Sequence, residues 1–338
     1  MDPLRAPLDP VALARALIDI DSTTGREGEL GSWLAGFLRE RGYRVDEQPV
    51  SEGRFNVLAM LDAAPLVVLS THFDCVPPFF PGREERGLLF GRGSCDAKGI
   101  LAAQVAAAER LRAGGETRIA LLFVVGEERG SDGARVANTR APAGVRYLVN
   151  GEPTDNRLGL ATRGVLRVRL KARGRAAHSA FPELGESAID KLLDALMVIR
   201  GIQLPDDPIL GRTHYNVGLI DGGVAPNVVS SQASAELLFR IVGDAAPVRE
   251  ALGPIEGIVD VEHVLDIPAV RMHTVPGLET AVFPYTTDVP LLDRWGTPLL
   301  CGPGSIHVAH TDEEHVAIDE LQAAVGLYER LVLELLHL

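Results

Sequence analysis

The chain of 338 residues carries 33 basic and 46 acidic side chains, which gives a net charge of −13. Because no run of Lys and Arg stands out against this excess of acid, nucleic acids and anionic membranes are excluded as expected partners. Hydrophobic residues make up 46% and charged residues 23% of the sequence, a globular composition that argues against disorder.

The length exceeds that of a usual single-core domain and predicts two domains. No stretch of eighteen apolar residues could span a membrane, and the amino end MDPLRAPLDP lacks the apolar run of a signal peptide. The cysteines Cys75, Cys95 and Cys301 are odd in number and lack C-x-x-C spacing, as expected of reduced thiols. Together these features predict a cytoplasmic protein.

Residues 1–162 combine helical and strand patterns, as α/β proteins do. Apolar residues recur with helical spacing over 10–20, 27–41 and 100–112, and alternation predicts a strand over 55–61. Continuous apolar runs predict buried parallel strands over 67–71, 118–125 and 145–150. Open α/β sheets bind ligands at the carboxyl ends of their strands. A site is therefore predicted from the residues that follow the three runs: His72-Phe73-Asp74, Gly126-Glu127-Glu128 and Gly151-Glu152.

Residues 163–271 have a different pattern, that of an inserted α+β domain. Strands are predicted over 165–172, 215–220, 233–241 and 258–265, with helices over 187–200 and 247–252, in the order βαββαβ. From 272 to 338 the α/β character returns, with a strand over 297–300 and an amphipathic helix over 318–337. The expected fold is therefore a mixed, mostly parallel sheet flanked by helices, formed by 1–162 and 272–338.

Five positions at these strand and loop ends carry side chains that zinc accepts. A shared carboxylate and one or two further ligands for each ion would hold two metals. Asp74, two residues after a candidate histidine, could orient that imidazole. Glu127 would remain a free carboxylate that moves a proton from water to a leaving amine, which describes hydrolysis. The candidate ligands are His72, Asp96, Glu128, Glu152, and one of His307, His310 and His315.

Each of these residues also has an ordinary structural interpretation. Asp96 could cap the helix that follows it, and His72 could be a strand-end histidine bonded to backbone. Glu127 and Glu128 could be a solvated charge pair that opens a loop. The combination of His72, Asp74 and Asp96 in a Gly-rich setting favours a functional site.

These candidate residues occur in an order along the sequence that resembles one family of di-zinc amidohydrolases, and the resemblance covers nearly the whole chain. This is the group of acetylornithine deacetylase, succinyl-diaminopimelate desuccinylase and glutamate carboxypeptidase, and the acetylornithine deacetylase branch is the most similar. The matching segments are STHFDCVP, GRGSCDAKG, GEERGSDGAR, NGEPT, GRAAHSAFPELGESAID, GGVAPNVV and GPGSIHVAHTDEEHV.

The resemblance implies two zinc ions, for which Co or Mn could substitute. Asp96 would bridge both ions, His72 and Glu152 would share one, and Glu128 and His310 would share the other. It also assigns Asp74 to orient the metal-bound histidine and Glu127 to act as general acid and base.

Other details of the family pattern concern single positions. His310 is preferred to its neighbours because Ala309 precedes it and Glu314 follows four residues later. The peptide bond from Asp96 to Ala97 is expected to be cis. Gly126 departs from the pattern, since many relatives have an acid there, and this leaves the surroundings of the predicted base less well defined.

In the inserted domain the resemblance implies a ferredoxin-like lid that also forms a homodimer. His178 would reach the partner subunit's site and hold the scissile carbonyl oxygen. Asn227 would bind substrate, and Arg240 would clamp a free α-carboxylate, which suits the fork of a guanidinium. Taken alone, His178 would be an ordinary surface residue and Arg240 part of a solvated strand face.

The expected function is hydrolysis of the amide bond of an N-acyl amino acid. A dipeptidase or glutamate-type carboxypeptidase would use the same metals and the same Arg240, and it is the near alternative. A non-catalytic binding protein on the same scaffold is the alternative from another class. Loss of Glu127 or of a metal ligand would indicate such a protein, and the sequence has lost neither.

Overall fold

The computed structural model describes residues 8–62 and 64–337. The sequence interpretation of the amino end MDPLRAPLDP falls, for residues 1–7, outside the described residues. The α-helices of the described chain are α1 (Pro10–Ile18), α2 (Gly28–Glu40), α3 (Lys98–Ala113), α4 (Asp132–Asn138), α5 (Ala188–Gly201), α6 (Ala246–Leu252) and α7 (Ile318–His337). The strands are β1 (Arg44–Ser51), β2 (Arg54–Met60), β3 (Val67–His72), β4 (Arg83–Glu85), β5 (Leu88–Phe90), β6 (Ile119–Val124), β7 (Tyr147–Asn150), β8 (Leu158–Thr162), β9 (Gly164–Arg173), β10 (Asp206–Asp207), β11 (Gly211–Arg212), β12 (His214–Gly222), β13 (Gln232–Ile241), β14 (Asp260–Ile267), β15 (Val270–Arg271), β16 (Thr280–Phe283), β17 (Thr297–Leu300) and β18 (His315–Ala317). No helix within these two described stretches is long and apolar enough to cross a membrane.

The chain divides into two compact units. The first comprises the described residues of Met1–Leu160, Met272–Ala281 and Thr287–Leu338. The second comprises Ala161–Arg271 and Val282–Thr286. The sequence places the corresponding boundaries at 163 and 271 and does not indicate the short return of Val282–Thr286, which has no change of pattern to mark it.

The main sheet of the first unit is mixed, with the strand order β1-β2-β6-β3-β7-β17. β3 runs parallel to β6 and to β7, and β17 runs parallel to β7. The β1–β2 and β2–β6 pairs are antiparallel. The predicted mixed sheet flanked by helices is thereby confirmed. Because β6, β3 and β7 are adjacent and parallel, their carboxyl ends meet at one edge of the sheet.

Hydrophobic cores cover both faces of the central strands, and successive side chains of each strand point to opposite sides. On β3, Val67 and Leu69 belong to the larger hydrophobic core, which includes residues of α1, α2, α3 and α7. Val68 belongs to a smaller core on the other face, together with residues of α4 and the buried Trp295. Every residue of β3 is buried, so this strand presents His72 from a rigid support.

Local sequence explains where two of the helices begin. Asp9 Oδ1 accepts the N–H of Val11 at 2.9 Å, and Pro10 is the first residue of α1. Ser187 Oγ accepts the N–H of Asp190 at 3.1 Å and caps α5 in the same way. α3 has no capping side chain but is buried along nearly its whole length. Packing therefore holds α3 and the loop before it.

Strand β1 is absent from the sequence prediction. Its sequence RVDEQPVS is polar, contains a proline and is largely exposed. It lies at the edge of the sheet, and its partner strand within the described residues is β2. Edge strands commonly carry charge and proline, which protect them from pairing with other chains. A polar edge strand therefore lacks the apolar run by which the buried strands are predicted.

The second unit contains an antiparallel sheet with the order β12-β13-β9-β14. In chain order its main elements are β9, α5, β12, β13, α6 and β14. Alternate residues of β9, such as Leu166, Val168 and Leu170, form a core with residues of β13, α5 and α6. β12 lies at one edge and is almost wholly exposed.

The same substitution in two helices is expected to have opposite effects on stability. Beyond its chain neighbours and the backbone of its own helix, a Cβ at Gly326 in α7 would meet no described atom within 4 Å. A Cβ at Gly99 in α3 would instead clash with the backbone oxygen of Ser94. We expect Gly326→Ala to raise the free energy of unfolding by about 0.5–1 kcal/mol. Gly99→Ala should lower it by about 1–3 kcal/mol through overpacking. Urea unfolding of both variants beside the wild type tests this, and equal effects would contradict it.

Candidate metal centre

The predicted site residues of the first unit lie at the shared edge of three parallel strands. His72 is the last residue of β3. Glu127 and Glu128 follow β6 in a single turn of 3-10 helix, and Glu152 comes two residues after β7. Asp96 lies in the loop that leads into α3. The sheet order β6-β3-β7 therefore brings these side chains together, as the strand-end pattern predicts.

Asp96 faces two histidines, one with each carboxylate oxygen. Its Oδ1 lies 2.9 Å from His72 Nε2, and its Oδ2 lies 3.2 Å from His310 Nε2. His310 Nε2 also lies 3.0 Å from Glu128 Oε1. Ligand atoms of His72, Asp96 and Glu128 are all within 4.8 Å of one another. This geometry is what a carboxylate shared between two cations requires, with a different histidine on each side.

The backbone at His310 has a conformation that histidine seldom adopts. Its φ is +64°, in the left-handed region. Such residues persist where the surrounding structure holds them, and they are concentrated at functional sites. Of the other two histidines in this segment, His307 is exposed, and His315 Nδ1 lies 2.7 Å from the oxygen of Glu313. Only His310 of the three contacts other predicted ligands among residues 8–62 and 64–337.

Asp74 connects the histidine of β3 to the turn that carries the two glutamates. Its Oδ1 accepts the N–H of Glu127 at 3.1 Å, and its Oδ2 accepts the N–H of Glu128 at 3.3 Å. Thr24 Oγ1 donates to Oδ2 at 2.9 Å. Oδ1 lies 3.5 Å from His72 Nδ1, which is also 3.0 Å from the backbone oxygen of Asp74. The sequence predicts that Asp74 orients His72, and the structure adds its hold on the Glu127 turn.

The candidate site contains more carboxylates than histidines, and this affects the pKa values of its side chains. Burial raises the pKa of Glu127 well above its ordinary value, and the charge of Glu152 adds to this effect. Burial likewise raises the pKa of Glu152. Hydrogen bonds to Asp96 and Glu128 raise the pKa of His310 to about 10. Carboxylates thus outnumber histidines in a poorly solvated region, an arrangement that divalent cations would stabilise.

The donor set fits zinc better than calcium or magnesium. Imidazole nitrogen and carboxylate oxygen together are typical of zinc sites, whereas Mg²⁺ and Ca²⁺ select oxygen alone. Contacts join Asp96 to His72 and to His310, and His310 to Glu128. Glu152 is buried, with Asn150 Nδ2 donating to its Oε1 at 3.4 Å. Its sharing of a metal with His72 stays a prediction.

The peptide bond from Asp96 to Ala97 is cis, as the family resemblance predicts, and this detail is confirmed. The departure at Gly126 also has a structural reason. Its φ is +78°, a conformation that residues other than glycine rarely adopt, and a Cβ there would contact the side chains of Asp132 and Arg54. Arg54 joins Asp132 to the buried Glu27 through paired hydrogen bonds and fills the surroundings of the Glu127 turn.

The structure adds Asp288, which the sequence patterns do not single out. Its side chain is 2% exposed, and Oδ1 has no hydrogen-bond partner in the described part of the chain. Burial raises the pKa of Asp288 to about 6, and its charge is among those that raise the pKa of Glu127 and Glu152. It precedes a 3-10 turn that begins Val289-Pro290, where an acid is ordinarily a cap. No local pattern therefore distinguishes it.

The remaining predicted residues, His178, Asn227 and Arg240, belong to the second unit. His178 and Asn227 are exposed, and their loops are joined, since the N–H of Ser179 donates to the oxygen of Asn227 at 3.0 Å. Arg240 on β13 is half-buried and donates to Thr286 Oγ1 at 3.2 Å. No carboxylate among the described residues forms an ion pair with Arg240, so its guanidinium keeps donors for an anion.

Comparisons with known proteins give a consistent result. The model of Peptidase family M20/M25/M40 matches residues 68–334. A probable carboxypeptidase of Aspergillus terreus is 38% identical, over 94% of this chain and 84% of its own. Among solved structures, the aminopeptidase PepT of Bacillus cereus has a TM-score of 0.81 at 21% identity, covering 98% of this chain and 99% of its own. The M20 family metallo-carboxypeptidase Sso-CP2 of Sulfolobus solfataricus has a TM-score of 0.74 at 18% identity, covering 95% of this chain and 98% of its own.

Proposed function

Because the chain belongs to peptidase family M20/M25/M40, whose members include metallopeptidases, we propose that it hydrolyses the amide bond next to a free α-carboxylate in a small substrate. The observation that carries this proposal is Asp96, which faces His72 with one oxygen and His310 with the other. A carboxylate with a different ligand beside each oxygen could hold two ions close together, as two-metal hydrolases require.

The residues of the first unit would hold two zinc ions, with Co or Mn as substitutes. Asp96 would serve both ions, His72 and Glu152 one of them, and Glu128 and His310 the other. When bound, the ions would supply Lewis acidity at the amide carbonyl and would activate water at neutral pH. Asp74 would keep His72 in the tautomer whose Nε2 is free for metal, since it lies on the Nδ1 side of the ring.

Glu127 would act as general acid and base. The water that adds to the carbonyl carbon would give its proton to the Glu127 carboxylate, which would pass it to the amide nitrogen as the C–N bond breaks. Burial raises the pKa of Glu127, which makes its carboxylate a stronger base toward water. The products are a carboxylate and an amine.

Arg240 would bind the α-carboxylate of the substrate. The guanidinium forms a flat fork that matches a carboxylate with two hydrogen bonds. Its half-buried position and its lack of an ion-pair partner in the described chain support this role. Asn227 would also bind the substrate. The carboxypeptidase and dipeptidase names of similar proteins agree with a substrate that ends in a free carboxylate.

N-acyl amino acid deacylation is the second candidate. It uses the same metals, the same base and the same carboxylate clamp. The observation in its favour is the sequence of the carboxyl-terminal segment, where FPYTTDVP, GPGSI and AHTDEEH resemble the acetylornithine deacetylase branch.

Activity of zinc-loaded protein on matched substrates decides between the two. One series would contain dipeptides and tripeptides with a free carboxyl end, and the other N-acetyl derivatives of the same carboxyl-terminal amino acids. We expect hydrolysis in the first series, and loss of activity when the carboxylate is amidated. Preference for the N-acetyl series would establish the deacylase. A protein that binds two zinc ions and cleaves neither series would indicate the binding protein instead.

We further propose that the second unit is a ferredoxin-like lid and dimerisation domain. Its sheet order β12-β13-β9-β14 leaves β12 as a free edge. Leu219 on β12 is 65% exposed and Met197 on α5 is 63% exposed. Ile220, the next residue of β12, and Leu193, one helical turn before Met197, are exposed as well. Apolar residues concentrated on an edge strand and one helix face are typical of an interface.

A double variant tests the dimer. Leu219→Lys combined with Met197→Glu should convert a dimer to a monomer in sedimentation or light-scattering measurements, because both changes put charge into the proposed interface. Leu333→Lys is the matched control, since Leu333 is also exposed but lies on α7 of the first unit. A wild type that is monomeric at all concentrations, or a double variant that stays dimeric, would contradict this arrangement.

A further inference from the structure

Glu314 is a buried carboxylate to which the proposed chemistry assigns no step. Its side chain is 0% exposed, and Arg92, which is 2% exposed, forms an ion pair with it. Arg92 Nη1 lies 2.6 Å from Glu314 Oε2. Charged residues are almost never buried to this extent unless they are paired, and such a pair adds little to stability on balance. Stability alone therefore does not explain why Arg92 and Glu314 are buried as an ion pair.

The second oxygen of Glu314 accepts hydrogen bonds from the backbone of the loop that ends in Asp96. Oε1 accepts the N–H of Gly93 at 2.9 Å, that of Asp96 at 3.2 Å and that of Cys95 at 3.4 Å. The backbone oxygen of Glu314 also accepts the N–H of Gly91 at 3.1 Å. One residue thus holds the loop through both its side chain and its backbone.

Glu314 belongs to the same chain segment as His310, so its contacts link that segment to the Asp96 loop. It lies four residues after His310, in the segment that supplies that histidine. Asp96 and His310 are separated by more than two hundred residues of sequence, yet their side chains approach to 3.2 Å. Glu314 joins the two segments directly, and Arg92 from the Asp96 loop completes the connection.

We propose that Glu314 is a positioning residue that holds Asp96 and His310 in register for the metal that they share with Glu128. This inference rests on the proposed metal centre. Because Asp96 and His310 would both bind that ion, loss of Glu314 should affect it more than the ion held by His72 and Glu152. Residues that orient metal ligands commonly contribute 10- to 100-fold to metal affinity.

The experiment measures zinc affinity of purified Glu314→Gln by competition with a chromophoric chelator. We expect two zinc ions per chain in the wild type, and one of them to bind about 10- to 100-fold more weakly in the variant. Gln keeps an oxygen for the backbone N–H groups but loses the charge that pairs with Arg92. Glu314→Ala loses both and should show the larger effect. Excess zinc should restore occupancy of the weak site in Glu314→Gln.

Glu109→Gln is the matched control. Glu109 is also buried and accepts hydrogen bonds from Arg41, Arg112 and Tyr43, each at 2.9 Å. It contacts none of the proposed ligands, so its loss should lower the unfolding temperature without changing zinc affinity.

Two outcomes would overturn the proposal. If Glu314→Gln loses thermal stability as Glu109→Gln does and still binds both zinc ions with wild-type affinity, Glu314 is a structural residue only. Equal weakening of both zinc ions would also contradict it. If Glu314→Ala does not fold, Glu314→Gln decides alone. Failure of the proposed hydrolysis would be seen separately, as a zinc-loaded wild type that cleaves no amide.

Discussion

Glu127→Ala is expected to abolish amide hydrolysis while leaving the metal content of the protein unchanged. A general acid and base contributes about 100- to 10,000-fold to the rate of a reaction, and Glu127 has no second residue on its turn to replace it, since Glu128 is assigned to a metal. The measurement is kcat on the preferred substrate, together with zinc content by atomic emission. Glu127→Gln, which keeps the shape of the side chain, should be inactive as well.

Asp96→Ala provides the opposite control. Because Asp96 faces both His72 and His310, its loss should remove a ligand from each ion at once, and the variant should lose metal as well as activity. The assignments would be reversed by loss of metal from Glu127→Ala with retention in Asp96→Ala. If both variants lose metal, Glu127 is a ligand and another residue must be the base.

Much of the first unit can be predicted from sequence because its central strands are buried on both faces. The run over 67–71 corresponds to β3, which is one residue longer, and the run over 297–300 corresponds to β17. The acids and the histidine at the strand ends could be placed together by a simple rule, since parallel strands in one sheet end at the same edge. Edge strand β1 could not be found in this way, because its exposure removes the apolar pattern.

The supporting residues of the site are harder to predict, for a physical reason. Glu314 acts on the Asp96 loop through backbone N–H groups, and any sequence in that loop offers the same groups. Asp288 is brought near Glu127 by folding alone, from a segment that resembles a capped turn. Hydrogen bonds between distant segments leave no periodicity in either one.

His178→Ala is expected to lose about 100- to 1,000-fold in turnover, the typical effect of removing one donor to a developing oxyanion. The structure gives this histidine a suitable tautomer. His178 Nδ1 accepts the N–H of Ala180 at 3.1 Å, so in the neutral ring the proton is on Nε2. The side chain is exposed and Nε2 is therefore a donor that can face a substrate.

Mixing two inactive variants tests whether His178 serves the partner subunit. In a heterodimer of His178→Ala and Glu127→Ala chains, one site would combine the intact base of the first chain with the intact histidine of the second. Random exchange gives about half of the molecules as heterodimers with one working site each, so about a quarter of wild-type activity is the expected maximum. Neither parent should be active alone.

Subunit exchange must be shown independently, by mass spectrometry of differently tagged chains. The control is the same mixture made in the Leu219→Lys, Met197→Glu background, which is expected to prevent dimer formation. In that background no mixture should recover activity, because His178 could no longer reach another chain. Mixtures that exchange subunits and stay as inactive as their parents would exclude the trans arrangement. His178 would then act within its own chain, if His178→Ala alone is impaired, or would be an ordinary surface residue, if it is not.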